Sequence, residues 1–310
     1  MKKVLITGGS GFIGTHVTQV LLSQGIEVKI YDLLPSTLSN VEAVQGDILD
    51  YARLESAAQG CDAIVHLAAQ ISVQRSIESP EETYNVNVIG TQNIFDCAKK
   101  IGIKRILLAS SAAVYGDSSD IPLKEEVIGT LLSPYATSKS NNELQVLQAR
   151  ERGVEAVALR FFNVYGPNQL IEGAYAAVIP NIIENITTGQ RPVIYGDGEQ
   201  TRDFIHVRDV AMSIFKLLEI DWVKVKSHTY NVASQQQISI LQLIEVINLH
   251  CIELGILNQP VQPVFENART GDIKHSVANI EKIMNQIQWQ PTVEFQQGIR
   301  ELLHQDGGDE

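Results

Sequence analysis

The sequence predicts an α/β protein, a doubly wound parallel sheet with a smaller C-terminal α/β substrate domain. Three observations predict it. Short apolar runs at 4–6, 28–31, 63–67, 105–109 and 157–162 alternate with stretches of helical periodicity, the pattern of repeated β-α-β units. The first run feeds a turn holding Gly8, Gly9, Gly11 and Gly14, and the second ends in Asp32. A chain of 310 residues, 44% hydrophobic, is long enough for two domains and a large core. The boundary is expected where Gly166 and Pro167 break the alternation, giving domains 1–165 and 166–310, with some C-terminal segments able to cross back to the first.

Each element follows from local chemistry. A buried strand running into glycines and then a helix start aims free backbone N–H groups at an anion, and glycine lets a pyrophosphate approach the backbone closely. Both Gly9-x-Gly11-x-x-Gly14 and Gly8-x-x-Gly11-x-x-Gly14 fit such a cradle, and the sequence leaves the register open. Ile13, Val17, Val20 and Leu21 give the next helix an apolar face, which Gly25 ends. Asp32 closes the second strand where a carboxylate can accept both ribose hydroxyls of an adenosine, the geometry that prefers NAD over NADP. Its alternative role is to cap the following turn. A third strand is expected at 41–44, a short helix over 50–58 and a fourth strand at 63–67. His66 there reads as a packed strand-end residue rather than a base. A single long helix is expected from Pro80 to Lys100, then a strand from Arg105 running into Ser110 and Ser111.

Ser133-Pro134 has the form of a helix N-cap and first helical position, which places Tyr135 and Lys139 one turn apart on one face. A free tyrosine titrates near 10, so a base at neutral pH needs a neighbouring cation or helix N-terminus to favour the phenolate. Ser111, after the preceding strand, completes a candidate Ser-Tyr-Lys set. Beyond 165 the elements shorten: helices over 178–188, 209–219, 240–254 and 280–287, strands at 192–195 and 202–207, and a turn at 196–198. Only the tail after His304 reads as disordered.

The charge sum of 24 Lys+Arg against 36 Asp+Glu, net -12, excludes a basic nucleic-acid surface. Cys61, Cys97 and Cys251 are odd in number and unpatterned, which favours buried thiols over disulfides or a metal site, so no metal is expected. The apolar run after Lys2-Lys3 stops at Thr7, and no segment approaches the roughly 18 apolar residues of a membrane span. A cytoplasmic location is expected.

Taken together, these residues resemble the nucleotide-sugar epimerase/dehydratase family of extended short-chain dehydrogenases/reductases, and within it the UDP-glucose 4-epimerases. The likeness extends over nearly the whole chain: Gly8 to Gly14, His66 to Ala69, Asn85 to Thr91, Ser110 to Gly116, Tyr135 to Lys139, Arg160 to Pro167, Gly196 to Asp209, and Ala268 to Ser276 with Trp289 and Pro291. It implies a Rossmann-type first domain and NAD as cofactor, held by Gly8, Gly11, Phe12, Ile13, Gly14, Asp32, Asp47, Ile48, Leu67, Ala68, Ala69, Asn87, Tyr135, Lys139 and Phe162. It implies Ser111, Tyr135 and Lys139 as the catalytic group. It places a UDP-sugar against Ser111, Asn163, Val178, Val193, Tyr195, Arg202, Arg269, Asp272 and Ser276, and a homodimer is the family habit. The activity implied is C4 epimerisation of UDP-hexoses through a 4-keto sugar. The alternatives are another nucleotide-sugar oxidoreductase or a catalytically silent NAD-binding regulator.

Three departures from the family pattern stand out. Dehydratases of the family carry an Asp-Glu pair after the Ser/Thr, and the glucuronate decarboxylases a glutamate at the second of those positions; here Ala112 and Ala113 stand there, and methyl groups transfer no protons. Ala233 and Ser234 stand where the family often has glycines. Ser276 is small where the UDP-glucose 4-epimerases it resembles carry a tyrosine that restricts the hexose pocket, so an acetamido sugar is expected to fit as well, unless Ser276 is only a strand residue and a neighbour near Val178 closes the space.

Overall fold

In a computed structural model that describes residues 1–169, 178–268 and 273–305, seven strands form one parallel sheet. They are β1 (Lys3–Thr7), β2 (Glu27–Asp32), β3 (Glu42–Gln45), β4 (Ala63–His66), β5 (Arg105–Ser111), β6 (Glu155–Phe161) and β7 (Thr229–Val232). Their spatial order is 3-2-1-4-5-6-7. The chain leaves β1 in one direction for β2 and β3, then returns to its other side for β4, so a crevice opens above the carboxyl ends of β1 and β4.

The strands read as continuous apolar runs because both faces are covered. Val4, Ile6, Val28, Ile30 and Val65 pack towards helix Phe12–Ser23 and helix Val207–Glu219. Leu5, Ile64, Ile106 and Leu108 pack the other way, with Leu54 and Ala57 of helix Tyr51–Ala58, Ile94 and Phe95 of helix Gly90–Ile101, and Val146 of helix Pro134–Glu151. Local chemistry sets the helix starts: Asp50 accepts from Arg53 N–H and Ser133 from Ala136 N–H, with Pro134 in the first turn.

The long helix expected from Pro80 is interrupted. Residues Pro80–Tyr84 are α-helical, Asn85–Ile89 form a π-turn, and the α-helix resumes at Gly90. The cause is tertiary, because the Asn87 carbonyl accepts from both Thr91 Oγ1 and Asn142 Nδ2 while its side chain grips Gln70.

From 163 onwards the chain builds three two-stranded sheets: Asn163–Tyr165 with Phe204–His206, Thr201–Arg202 with Ile238–Ser239, and Val193–Tyr195 with Val264–Glu266. A separate core of Ile182, Ile183, Phe204, Leu243, Ile244, Phe295 and Ile299 supports them. Helix Phe295–Gln305 and strand Val264–Glu266 were not legible in the sequence. Helix Val207–Glu219 and β7 return to the first core and complete the sheet. No helix among the described residues is long and apolar enough to cross a membrane. The three cysteines are buried and unpaired, and burial raises the Cys97 and Cys251 thiols to about 11.

Candidate active site

The glycine turn forms the floor of the crevice. Gly8 has φ +73°, and a Cβ there would lie 2.6 Å from the Ala68 nitrogen; at Gly14 a Cβ would lie 2.2 Å from the Gly8 carbonyl oxygen. Gly9 meets only the Ile30 side chain, so the backbone's need for glycine follows the Gly8-x-x-Gly11-x-x-Gly14 register. Gly11 is the N-cap of helix Phe12–Ser23, and no side chain caps that helix start. Its first-turn N–H groups therefore face a cleft of about 490 Å³, within the size range of small-ligand sites.

Gly8, Gly11, Phe12, Ile13, Gly14, Asp32, Asp47, Ile48, Leu67, Ala68, Ala69, Ser111, Tyr135, Lys139 and Phe162 all line this cleft. Asp32 at the end of β2 accepts from the Ser10 N–H at 2.9 Å and the Leu34 N–H at 3.0 Å. It thus latches the second turn onto the first while its carboxylate borders the cleft. Asn87 is elsewhere. It is buried, and its amide accepts from Gln70 N–H at 2.8 Å and donates to Gln70 carbonyl at 2.9 Å and Ser138 Oγ at 2.9 Å, which shapes the loop after β4. His66 is packed between Thr7 and Thr91, each bonded to one ring nitrogen, and burial with nearby Lys139 drives its titration down to about 3.

Ser111 ends β5, and its Oγ accepts from the Ala113 N–H, which fixes the turn Ala112–Tyr115. Tyr135, in the first turn of helix Pro134–Glu151, keeps part of its surface open to the cleft. The enclosing protein pushes its hydroxyl above the ordinary tyrosine value, against a hydrogen bond with Ser111 that pulls it down. Lys139 is buried and donates to the Ala109 carbonyl at 2.9 Å, with its Nζ 5.9 Å from the Tyr135 ring centre. Burial lowers its ammonium to about 8, and Glu143 opposes that shift. A cation placed this near the ring favours the phenolate over the neutral phenol.

The residues expected to hold a nucleotide sugar are dispersed over the C-terminal half. Asn163 is exposed on its short strand, Val178 starts a helix, Val193 and Tyr195 share one strand, and Arg202 sits beside Thr201. Ser276 is buried, its N–H bonded to the Thr201 carbonyl, and it does not line the 490 Å³ cleft. Arg269 and Asp272 lie outside the described residues. The buried carboxylate of Asp203, not singled out from the sequence, links these segments. It accepts from Ser234 N–H and Oγ at 2.8 Å each, and from Gln235 and Ala278 N–H at 3.0 Å each, while its carbonyl accepts from Asn163 N–H. Ser234 thereby supplies a hydroxyl that a glycine could not.

Leu33, Leu34, Ile71, Val86, Val164 and Gln169 also line the cleft and were not singled out. For Leu33 and Leu34 a signal existed: two exposed leucines directly after the acidic strand end.

An uncapped helix start over a glycine turn, an acidic strand end and a Tyr-Lys pair share one cleft, an arrangement whose shape and donors suit an adenine dinucleotide. The comparisons agree. The model of the NAD dependent epimerase/dehydratase family matches residues 4–233. A relative from Methanocaldococcus jannaschii described as a putative UDP-glucose 4-epimerase is 34% identical over 309 residues, 97% of each chain. A UDP-N-acetyl-alpha-D-glucosaminuronate decarboxylase from Bacillus cytotoxicus is 30% identical over 317 residues, again 97% of each. Among solved structures, the UDP-N-acetylglucosamine 4-epimerase from Methanobrevibacter ruminantium M1, in complex with UDP-N-acetylmuramic acid, is 36% identical with a TM-score of 0.89, covering 98% of this chain and 97% of that one. Residues and relatives together establish that the chain belongs to the NAD dependent epimerase/dehydratase family, as an enzyme whose cofactor is NAD.

Proposed function

We propose that the protein interconverts the C4 epimers of UDP-hexoses, UDP-glucose with UDP-galactose and the N-acetylated pair alongside. The observation that carries the reading is the Ser111-Tyr135-Lys139 group on the cleft, followed by the methyl groups of Ala112 and Ala113 rather than carboxylates. Bound NAD would accept the C4 hydride and return it. Phenolate Tyr135 takes the C4 hydroxyl proton and later gives it back, Ser111 hydrogen-bonds the same oxygen, and Lys139 with the helix N-terminus favours the phenolate. The 4-keto sugar turns over within the hexose pocket, so the hydride returns to the opposite face and no cofactor is consumed. Asn163, Arg202 and, beyond the described residues, Arg269 and Asp272 hold the nucleotide meanwhile.

The 30% identity to a decarboxylase supports a second reading, in which the 4-keto intermediate of a uronate loses carbon dioxide. The absence of a carboxylate at Ala113 stands against it. Purified protein incubated with UDP-glucose, UDP-N-acetylglucosamine and UDP-glucuronate decides by product analysis and NADH absorbance. Epimer without net NADH supports the proposal, whereas carbon dioxide from the uronate with both hexoses untouched overturns it. A steady NADH change indicates a dehydrogenase or reductase. Ser276→Tyr should lower turnover of the N-acetylated sugar by roughly 5- to 150-fold and spare UDP-glucose, because overpacking a filled pocket costs roughly 1–3 kcal/mol. The family-based expectation of a homodimer is tested by light scattering.

A further inference from the structure

Glu143 is a buried carboxylate with no part in the proton transfer just described. It stands on helix Pro134–Glu151 one turn beyond Lys139, which is itself one turn beyond Tyr135. This stripe meets the end of β5 residue by residue: Tyr135 shares the cleft wall with Ser111, Lys139 donates to the Ala109 carbonyl, and Glu143 accepts from Ser110 Oγ at 2.6 Å. Arg160, on β6 and equally buried, forks the same carboxylate through Nε at 2.8 Å and Nη2 at 2.7 Å. Its guanidinium also lies 4.6 Å from the Tyr115 ring centre and bonds the Val127 carbonyl, so it cannot swing away without breaking three sets of contacts.

We propose that Glu143 is a positioning residue for proton removal by Tyr135, acting through Lys139 by keeping the ammonium charged and the strand end in register against the helix. The inference rests on the reading of Lys139 as the partner of Tyr135. Few other charges compete around Lys139. From β4 comes His66, whose ring stays neutral; β5 offers only the uncharged Ser110 and Ser111; on the helix itself stand Tyr135 and Glu143; and from β6 Arg160 faces Glu143. Glu143 is thus the anion that offsets the burial of Lys139. Arg160 in turn gives the Glu143 carboxylate a two-point ion pair in the buried site.

The test reads Lys139 directly, in full-length protein carrying carbon-13 at lysine Cε, with the resonance assigned through Lys139→Arg. Glu143→Gln keeps the shape and a partner for Ser110 but removes the charge. Its expected effect is a fall of about one pH unit or more in the Lys139 midpoint, with the alkaline limb of kcat moving by the same amount. Because Glu143→Gln leaves Arg160 buried without its anion, the double variant Glu143→Gln with Arg160→Gln is measured beside it. A positioning role predicts that the double variant regains thermal stability while the Lys139 midpoint stays low. Lys139 midpoints within about 0.3 unit of the parent in both variants overturn the proposal. The titration needs no sugar, so a protein inactive on UDP-hexoses whose Lys139 still follows Glu143 overturns the epimerase reading alone.

Discussion

Between Thr7 and Gly14 a single turn brings its own backbone to the cleft, and a methyl group on Gly8 or Gly14 would collide with main-chain atoms. In the C-terminal half, Asn163, Arg202 and Ser276 are far apart in sequence; the buried carboxylate of Asp203 ties the segments of Arg202 and Ser276 to the 234–235 turn through four hydrogen bonds, and its main-chain carbonyl holds Asn163. The first region depends on steric room and the second on one buried charge. The two halves should therefore fail separately, and their shared edge, where Tyr135 faces the cleft, should fail without either.

The largest expected effect lies at that edge. Tyr135→Phe should lower kcat by a factor of about 10²–10⁴ while the dissociation constants of NAD and UDP-glucose stay within about threefold. Steady-state kinetics with binding titrations measure both, and near-normal turnover would remove Tyr135 from the chemistry. Next, Gly14→Ala and Asp203→Asn form a reciprocal pair. Overpacking in the first should weaken NAD binding by roughly 10- to 100-fold with UDP binding intact. In Asp203→Asn an amide N–H faces backbone N–H groups, so UDP binding should weaken by a similar factor with NAD binding intact. Calorimetric titration of both ligands into both variants reads the comparison, and equal losses in each variant would show one cooperative site rather than two supports.

Each half also holds a buried histidine, and acid should reach both. Burial pushes His66 and His206 down to about 3, from an unfolded value near 6.5. Both are bases depressed by folding, so their stabilisation is complete above 6.5 and is lost as pH falls towards 3. From pH 6.5 to 5 each should cost about 2 kcal/mol. Asp203, raised to about 6 by burial, works the other way: the folded state takes up its proton first, recovering about 1 kcal/mol over the same range. Urea unfolding at pH 7 and 5 should thus show a net loss on acidification, and His206→Phe should remove about half of the histidine part. Equal midpoints at both pH values would contradict the burial of both rings. The smallest expected effect is cofactor choice. NAD should bind at least about tenfold more tightly than NADP, since a 2'-phosphate at Asp32 loses ribose hydrogen bonds and meets like charge; equal affinities would separate Asp32 from the adenosine ribose.

What could be read from the chain alone was local. The glycine turn, Asp32 at a strand end, and Tyr135 and Lys139 one helical turn apart are each set by backbone geometry over a few residues, so spacing alone fixes each of them, while the strand order of the folded sheet brings them to one cleft. The same spacing puts Glu143 a further turn along, but nothing in the sequence says that Arg160 and Ser110 arrive at its carboxylate from two different strands. The π-turn at Asn87 is a related case, because it answers to Gln70 and Asn142, which are remote in the chain. The return of helix Val207–Glu219 and of β7 to the first core likewise depends on which apolar face finds which partner. Hydrophobic burial is non-directional and reads only total fit, so such pairings, and the role of Asp203 that follows from them, were decided by the tertiary structure.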